Sequence, residues 1–319
     1  MWQSTMDWQT AKLRAEVLHK IRGFFHKRDV IEVETPNLSQ HTVTDVHLDA
    51  FESQYQFPVG KKPLYLQTSP EYAMKRLLAS GYGSIYQITK AFRDEAYGRH
   101  HNPEFTMLEW YRPNFDHLQL MDEVEALLTL VLQTEKAEKF TYQQVFLIHT
   151  NIDPLETDTA TLKDFLNSHD ISDDWLMSTD CIDTLLQFIF SQFVETKIGK
   201  TTPCFVYDFP ISQASLAVQS ETEPRVAHRF ECYYKGIELV NGFNELTDAK
   251  IQESRFEADN IQRLALAKHE KPLDTLLLSA LSSGMPQCSG VALGVDRLVM
   301  LALDIDDITN VLSFTIENA

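Results

Sequence analysis

Hydrophobic positions change period several times along this chain, and each change marks an element. Between Asp7 and Arg28, Leu13, Val17, Leu18, Ile21, Phe24 and Phe25 recur at helical spacing, which predicts a long amphipathic helix. Residues 30–36, VIEVETP, switch to a period of two. Pro36 ends that run, because it keeps Thr35 extended and removes a ladder donor. The expected product is an edge-type strand, suited to a partner subunit or to the ordinary role of a first strand. Residues 64–67 read as another strand, and Thr68-Ser69-Pro70-Glu71 as the start of a helix carrying Met74, Leu77 and Leu78 on one face. Glu71 then either complements the helix dipole or serves as a ligand for a substrate ammonium.

The centre of the pattern is residues 84–112. Residues 84–93 are rich in Ile, Tyr, Thr and Phe, and residues 105–112 alternate. Phe105, Met107, Glu109 and Tyr111 share one face; Thr106, Leu108, Trp110 and Arg112 share the other. Gly98, Asn102 and Pro103 mark the intervening stretch as a loop, so a hairpin is expected. Arg93 and Glu95 fall on one face beside a loop holding Arg99, His100 and His101. Cations with an aromatic ring suit a nucleotide, the ring for its base and the cations for its phosphates. A decorated antiparallel hairpin without a ligand has the same pattern.

Further on, residues 118–134 and 180–196 read as apolar helices, and residues 204–209 as a short strand between prolines. Residues 136–180 are mixed and acidic and carry no legible chemistry. In RFECYYKGIELVNGFNEL, residues 229–246, a hairpin turn at Lys235-Gly236 sets Tyr233 opposite Glu238, with Glu231 a diagonal neighbour on the same face. Two such carboxylates call for a hard cation or a basic side chain, unless the hairpin is simply solvent-exposed. Asn241-Gly242 is a turn or bulge signal that could re-aim Glu245. Finally, a small-residue strand ends at Gly294 and leads into an apolar helix. Arg297 sits in its first turn, where a cation opposes the dipole and is either paired or kept for an anion.

Composition narrows the function classes. The 319 residues are 44% hydrophobic and 23% charged, ordinary for a globular protein. A net charge of −18 argues against gripping nucleic acid by bulk electrostatics, though not against a local basic patch, for which Arg99 and His100 are candidates. No signal peptide or membrane span is evident, so a cytoplasmic protein with no membrane partner is expected. Cys181, Cys204, Cys232 and Cys288 are widely spaced, which predicts free thiols rather than a disulfide framework or zinc site.

Three segments in this order resemble the motifs of class II aminoacyl-tRNA synthetases: the first helix with residues 30–36, then Phe92-Arg93-Asp94-Glu95 with the loop to Phe105, then Gly294-Val295-Asp296-Arg297. Within that class, RHHNPEFTMLE (99–109) and NGFNELTD (241–248) resemble the lysyl-tRNA synthetase branch. Ser69 and Ala292 stand where that branch usually has Ala and Gly. Together with VTDVHL (43–48) and SQASLA (212–217), they resemble its stand-alone paralogues, which attach β-lysine to elongation factor P.

The resemblance implies an α+β fold, a mostly antiparallel sheet flanked by helices, in a single catalytic domain over residues 1–319 with no anticodon-binding domain. It implies ATP and Mg²⁺ as cofactors, and (R)-β-lysine, elongation factor P and a second copy of the chain as partners, without stable tRNA binding. Arg93 and Arg297 are then the catalytic residues, on the α- and γ-phosphates. Glu95 and Asn102 lie on the adenine side, His101 near the phosphates and Phe105 against the adenine, with Asp94 (Asn in the family), Glu238, Leu239 and Gly294 completing the ATP set. Glu231 and Glu238 hold Mg²⁺. Glu71 meets the amino group near the substrate carboxylate, while Glu245, Tyr111 and Glu109 take the side-chain ammonium. Ser69, Pro70, Asn241 and Ala292 complete the amino-acid site. The alternatives are a minimal lysyl-tRNA synthetase-like enzyme that acylates tRNA and a non-catalytic synthetase-like regulator.

Overall fold

The computed structural model describes residues 2–56, 60 and 62–319, and backbone packing divides the chain into two compact units, Met1–Gln133 with Asn244–Ala319, and Thr134–Phe243. The first opens with helix α1 (Trp8–His26), whose N-cap Asp7 accepts a hydrogen bond from Thr10 N at 2.7 Å. Val17, Ile21, Phe24 and Phe25 form its buried arc, as the spacing predicts. The strand expected over 30–36 pairs over only two residues, β1 (Ile31–Glu32). Strands β2 (Leu38–Ser39), β3 (Glu52–Tyr55) and β4 (Lys62–Leu66) make a separate sheet in the order β2-β4-β3. Helix α2 (Glu71–Ala79) follows, then the expected hairpin, β5 (Ile85–Phe92) and β6 (Glu104–Pro113), then α3 (His117–Leu132). Strand β1 runs parallel to β5, and Val33 N extends the contact to Tyr86 O at 2.8 Å.

The second unit contains β7 (Glu138–Thr141), α4 (Tyr142–Thr150), α5 (Thr159–Ser168), α6 (Asp174–Ser178) and α7 (Ile182–Ile189). Strands β8 (Cys204–Pro210), β9 (Val226–Tyr234) and β10 (Ile237–Asn244) complete it. The strand order is β10-β9-β8-β7, antiparallel except for β7 beside β8. Its core joins Tyr142 and Phe146 of α4, Leu162 and Leu166 of α5 and Leu185 of α7 to Val206 and Tyr233 of the sheet. Two expectations need correction here. The single helix expected over 180–196 gives way after Ile189 to a π-helical turn, Phe190–Glu195. Asn241-Gly242 is neither turn nor bulge: both residues pair regularly with β9, and the register shifts earlier, between Glu238 and Val240. Gly242 is needed because a Cβ there would overlap the Phe230 ring. The Lys235-Gly236 turn is as expected, with φ of 51° and 76°, the left-handed pair of a tight hairpin.

The chain then returns to the first unit through α8 (Ala249–Ala265), α9 (Thr275–Ser282), β11 (Cys288–Gly294) and α10 (Val295–Ala302). Strand β11 pairs antiparallel with β6, giving that unit's larger sheet the order β1-β5-β6-β11. Pairing sorts the two faces. Tyr86, Trp110 and Val291 share one face, where Phe25 of α1 stacks on Tyr86 at 4.4 Å and meets Trp110 edge-on at 5.3 Å. The other face carries Tyr111 beside Gly290, Glu109 beside Ala292 and Met107 beside Gly294. The small residues of β11 therefore flank the functional side chains of β6. No disulfide joins the four cysteines.

Candidate active site

On that second face the sheet meets the start of α2. Glu71, the first residue of α2, lies one helical turn before Lys75, whose Nζ is 2.7 Å from Glu71 Oε1 and 2.5 Å from Glu245 Oε2. Glu245 follows β10, and its backbone N–H donates to Cys288 O at 2.9 Å, which fixes it beside β11. Glu109 accepts from Ser69 Oγ at 2.6 Å through one oxygen and from Tyr111 OH at 2.6 Å through the other. Ser69 Oγ also receives Glu71 N at 3.0 Å, tying the helix start to the strand. Pro70 is the buried N-cap of α2, with its φ of −75° set by the ring. Gly290 is required, since a Cβ there would overlap both the Tyr111 ring and Glu245 Oε1.

Two of these carboxylates thus pair with one internal cation, and Glu109, which feels the same lysine's charge, rests on two hydroxyl donors. Burial, followed by the Glu71 charge, pushes Glu109 up to about 7 against the donors Ser69 and Tyr111. Burial likewise pushes Glu245 up to about 8, with Lys75 opposing and Glu71 and Glu109 adding to the rise. Against the same desolvation, Glu245 and Glu71 hold the Lys75 ammonium well above its ordinary value. Glu245 Oε1 is buried and has no hydrogen-bond donor. A region with three acids and one base favours a ligand bearing more than one positive charge.

The nucleotide candidates gather at the far end of the hairpin. The Arg93 guanidinium lies 5.1 Å from the centre of the Phe105 ring, and Arg93 N donates to Pro103 O at 2.9 Å. Arg297 donates through Nε to His100 O at 3.2 Å and through Nη2 to His101 Nε2 at 2.6 Å, which makes that ring nitrogen the acceptor of a neutral imidazole. Desolvation and then the Arg297, His100 and Arg93 cations push His101 down to about 4. Asp296, not Arg297, is the buried partner in that helical turn: it accepts Thr106 N at 2.6 Å and pairs with Arg14 at 2.6 Å.

Asn102 is committed to backbone, donating to Glu104 O at 2.6 Å and accepting from Ile316 N at 3.1 Å. Asp94 is exposed and Glu95 half-buried in the loop, and Asp94 N donates to Asp49 O at 2.8 Å. Gly294 caps α10, and a Cβ there would make only ordinary contacts with Arg297. Arg99 is paired with Asp306 at 2.9 Å, which offsets the charge expected of a basic patch.

Glu231, Glu238, Leu239 and Asn241 belong to the second unit. Glu238 lies across from Tyr233, as the hairpin reading expects, and the register shift between Glu238 and Val240 then sets Glu231 across from Asn241. Both Glu231 oxygens already accept, one from Arg229 and one from the Tyr233 hydroxyl. Arg229 also donates to Asn241 Oδ1 at 3.3 Å and Gln213 O at 2.8 Å. Leu239 sits at the register shift with its side chain buried. Each carboxylate oxygen keeps a second lone pair, and one or two carboxylates suffice for Mg²⁺ when phosphates supply further oxygens. The donor set fits that ion.

Lys75 was not among the residues singled out from sequence. Its signal was the Glu71–Lys75 spacing of four on a helix whose buried arc also holds Met74 and Leu78. Arg229 and Gly290 were missed as well. A basic residue two before Glu231, and a glycine in register with Tyr111, are the corresponding signals.

A family model described as tRNA synthetases class II (D, K and N) matches residues 3–318. Similar curated proteins include those named elongation factor P--(R)-beta-lysine ligase from Sodalis glossinidius (strain morsitans) and Salmonella typhi, each 52% identical over 320 residues, covering all of this chain and 98% of theirs. The protein of the same name from Photobacterium profundum is also 52% identical, over 99% of its length. Matched along nearly its whole length, the chain belongs to the class II (D, K and N) tRNA synthetase family, in the branch of the elongation factor P (R)-β-lysine ligases.

Proposed function

We propose that this protein activates (R)-β-lysine with ATP and transfers it to a lysine side chain of elongation factor P. The observation that carries the reading is the pairing of Glu71 and Glu245 with a single lysine, beside a Glu109 held only by the Ser69 and Tyr111 hydroxyls. The amino acid named by the relatives has two ammonium groups, and the excess of buried carboxylates can meet both. The donorless Glu245 Oε1 offers a place for one of them.

In the first step the β-lysine carboxylate attacks the α-phosphorus of ATP. The bond from that phosphorus to the bridging oxygen breaks, and pyrophosphate leaves with the electron pair. Arg93 and Arg297 align and neutralise the phosphates, Phe105 packs on the adenine, and His101 stays neutral beside Arg297. Mg²⁺, when bound by Glu231 and Glu238, supplies further neutralisation of phosphate charge. In the second step the acceptor amine attacks the acyl carbon of the adenylate, and AMP departs with the electron pair. The ammonium yields one proton before attack and a second as the amide forms. The chemistry rests on alignment and charge and asks no acid–base role of His101.

The reading places the protein in the cytoplasm as a homodimer formed through α1 and β1, where Trp8 and Ile31 are 75% and 62% exposed. Incubation with elongation factor P, ATP, Mg²⁺ and (R)-β-lysine, followed by intact-mass measurement, tests it. One added β-lysine residue on elongation factor P is the expected product. Acylated tRNA with unmodified elongation factor P contradicts the reading.

A further inference from the structure

The loop joining β5 to β6, residues 93–103, is polar, and Asn102 alone among its residues is buried. Hydrophobic packing therefore does not fix its tip, and hydrogen bonds must. Gly98 N donates to His101 O at 3.0 Å and His101 N to Gly98 O at 3.1 Å, which closes a tight turn with Arg99 and His100 at its apex. One side of that apex faces Arg297, through His100 O and His101 Nε2. Its other contacts go to the segment after α10, in the same compact unit.

That segment is a rigid support. Asp307 caps a 3₁₀ turn, Ile308–Val311, by accepting Thr309 N at 2.9 Å, and Ile308, Val311, Leu312 and Thr315 are all buried. Fixed in this way, it meets the loop at every polar group it presents. Ile308 N donates to Arg99 O at 2.9 Å, and Arg99 donates through Nε to Asp306 O at 2.8 Å and pairs with the Asp306 carboxylate at 2.9 Å. Tyr97 OH and Thr309 Oγ1 share a hydrogen bond at 3.0 Å. Ile316 N donates to Asn102 Oδ1 at 3.1 Å while Asn102 Nδ2 holds Glu104 O, which pins the return of the loop into β6. Side-chain exposures of 62% for Arg99 and 87% for Asp306 mean that this ion pair adds little to fold stability. What it supplies is geometry.

We infer that the segment after α10 is a positioning element of the nucleotide site. Arg99 and Tyr97 latch the loop apex to Asp306 and Thr309, so that His100 and His101 hold the Arg297 guanidinium where the triphosphate docks. Arg99 is then a positioning residue rather than a cation for phosphate or for a protein partner. The inference rests on the nucleotide role proposed above for Arg297. A 1 Å displacement of such a clamp is enough to degrade phosphate alignment.

The two roles open to Arg99 give opposite signs for one substitution. Asp306→Ala releases Arg99 and makes the region more positive. A phosphate-facing cation would then bind ATP more tightly, whereas a latch would bind it less well. Thr309→Val removes the hydroxyl met by Tyr97 without changing charge, and Thr309→Ser restores it. ATP binding is measured by calorimetry on the full-length protein, beside ATP–pyrophosphate exchange with (R)-β-lysine. Asp306→Ala and Thr309→Val should each raise the Kd for ATP twofold or more and their combination at least fivefold, with Thr309→Ser near wild type. The KM for (R)-β-lysine should stay within twofold, and thermal melting should be unchanged. A wild-type Kd in the combined variant, or tighter binding in Asp306→Ala, overturns the inference. Equal losses of ATP and β-lysine affinity, or lowered melting, overturn it too, because the segment would then serve the fold alone. Wild-type protein that binds ATP but exchanges with no lysine isomer counts against the proposed function, and the comparison of ATP affinities still decides the latch.

Discussion

Lys75 Nζ lies 2.5 Å from Glu245 Oε2, with each side chain only 1% exposed, so α2 itself supplies the cation that holds the pocket's carboxylates together. The arrangement is charge-deficient. One ammonium faces Glu71 and Glu245, while Glu109 depends on two hydroxyl donors. On the proposed function, this deficit is what would select a dicationic amino acid.

Lys75→Met should destabilise the protein by about 3–5 kcal/mol at pH 8, the range for breaking a buried ion pair. The loss should shrink in acid, where protonation relieves the stranded carboxylates. Chemical denaturation at pH 8 and pH 5 measures both. An equal loss at the two values would show that the pair is not electrostatically coupled to its neighbours.

The raised carboxylates also fix the sign of proton linkage. Glu245 is held at about 8 in the folded protein against 4.5 for a free glutamate, so its contribution to stability is full below about 4.5 and is lost as the pH rises through about 8. Binding of β-lysine favours the ionised carboxylates, so it should release protons at pH 7 and tighten as the pH rises towards 8. Calorimetry in buffers of different ionisation enthalpy reads this directly. Proton uptake on binding would contradict the charge assignment.

Gly290→Ala tests the close approach of β11 to Tyr111 and Glu245. The added methyl must displace the ring or the carboxylate, costing about 1–3 kcal/mol in stability. Activation of the amino acid should fall at least tenfold, mostly through KM. An alanine variant with wild-type kinetics would remove Glu245 from the substrate site.

Much of this is legible in the amino-acid sequence. The period of two in β6 placed Glu109 and Tyr111 on one face, and the register with β11 preserves it. Lys75 escaped because an apolar arc at helical spacing is the usual mark of a buried face, and a buried lysine does not register in it. The parallel pairing of β1 with β5 also escaped, since pairing direction is decided by chain path rather than side-chain alternation. Nor does composition reveal where the helix after Ile189 takes a π-turn. Asn241-Gly242 misled for a different reason: that glycine yields space to Phe230 within a regular strand.

Arg297 and His101 make a further prediction. Desolvation and three neighbouring cations keep the imidazole at about 4, and a bound triphosphate brings opposing charge. The His101 titration, followed by NMR, should therefore shift upward when ATP binds, and upward in ligand-free Arg297→Ala. Arg297→Ala should also abolish adenylate formation while the fold persists, because Asp296 and Arg14 hold that helical turn independently. Unfolding of this variant would assign Arg297 a structural role.

ATP–pyrophosphate exchange, with (R)-β-lysine and L-α-lysine supplied separately, addresses the central claim most directly. The account predicts rapid exchange with (R)-β-lysine and a kcat/KM at least tenfold lower for the α-isomer. Preference for L-α-lysine, or exchange with neither from folded protein that still binds ATP, would contradict it.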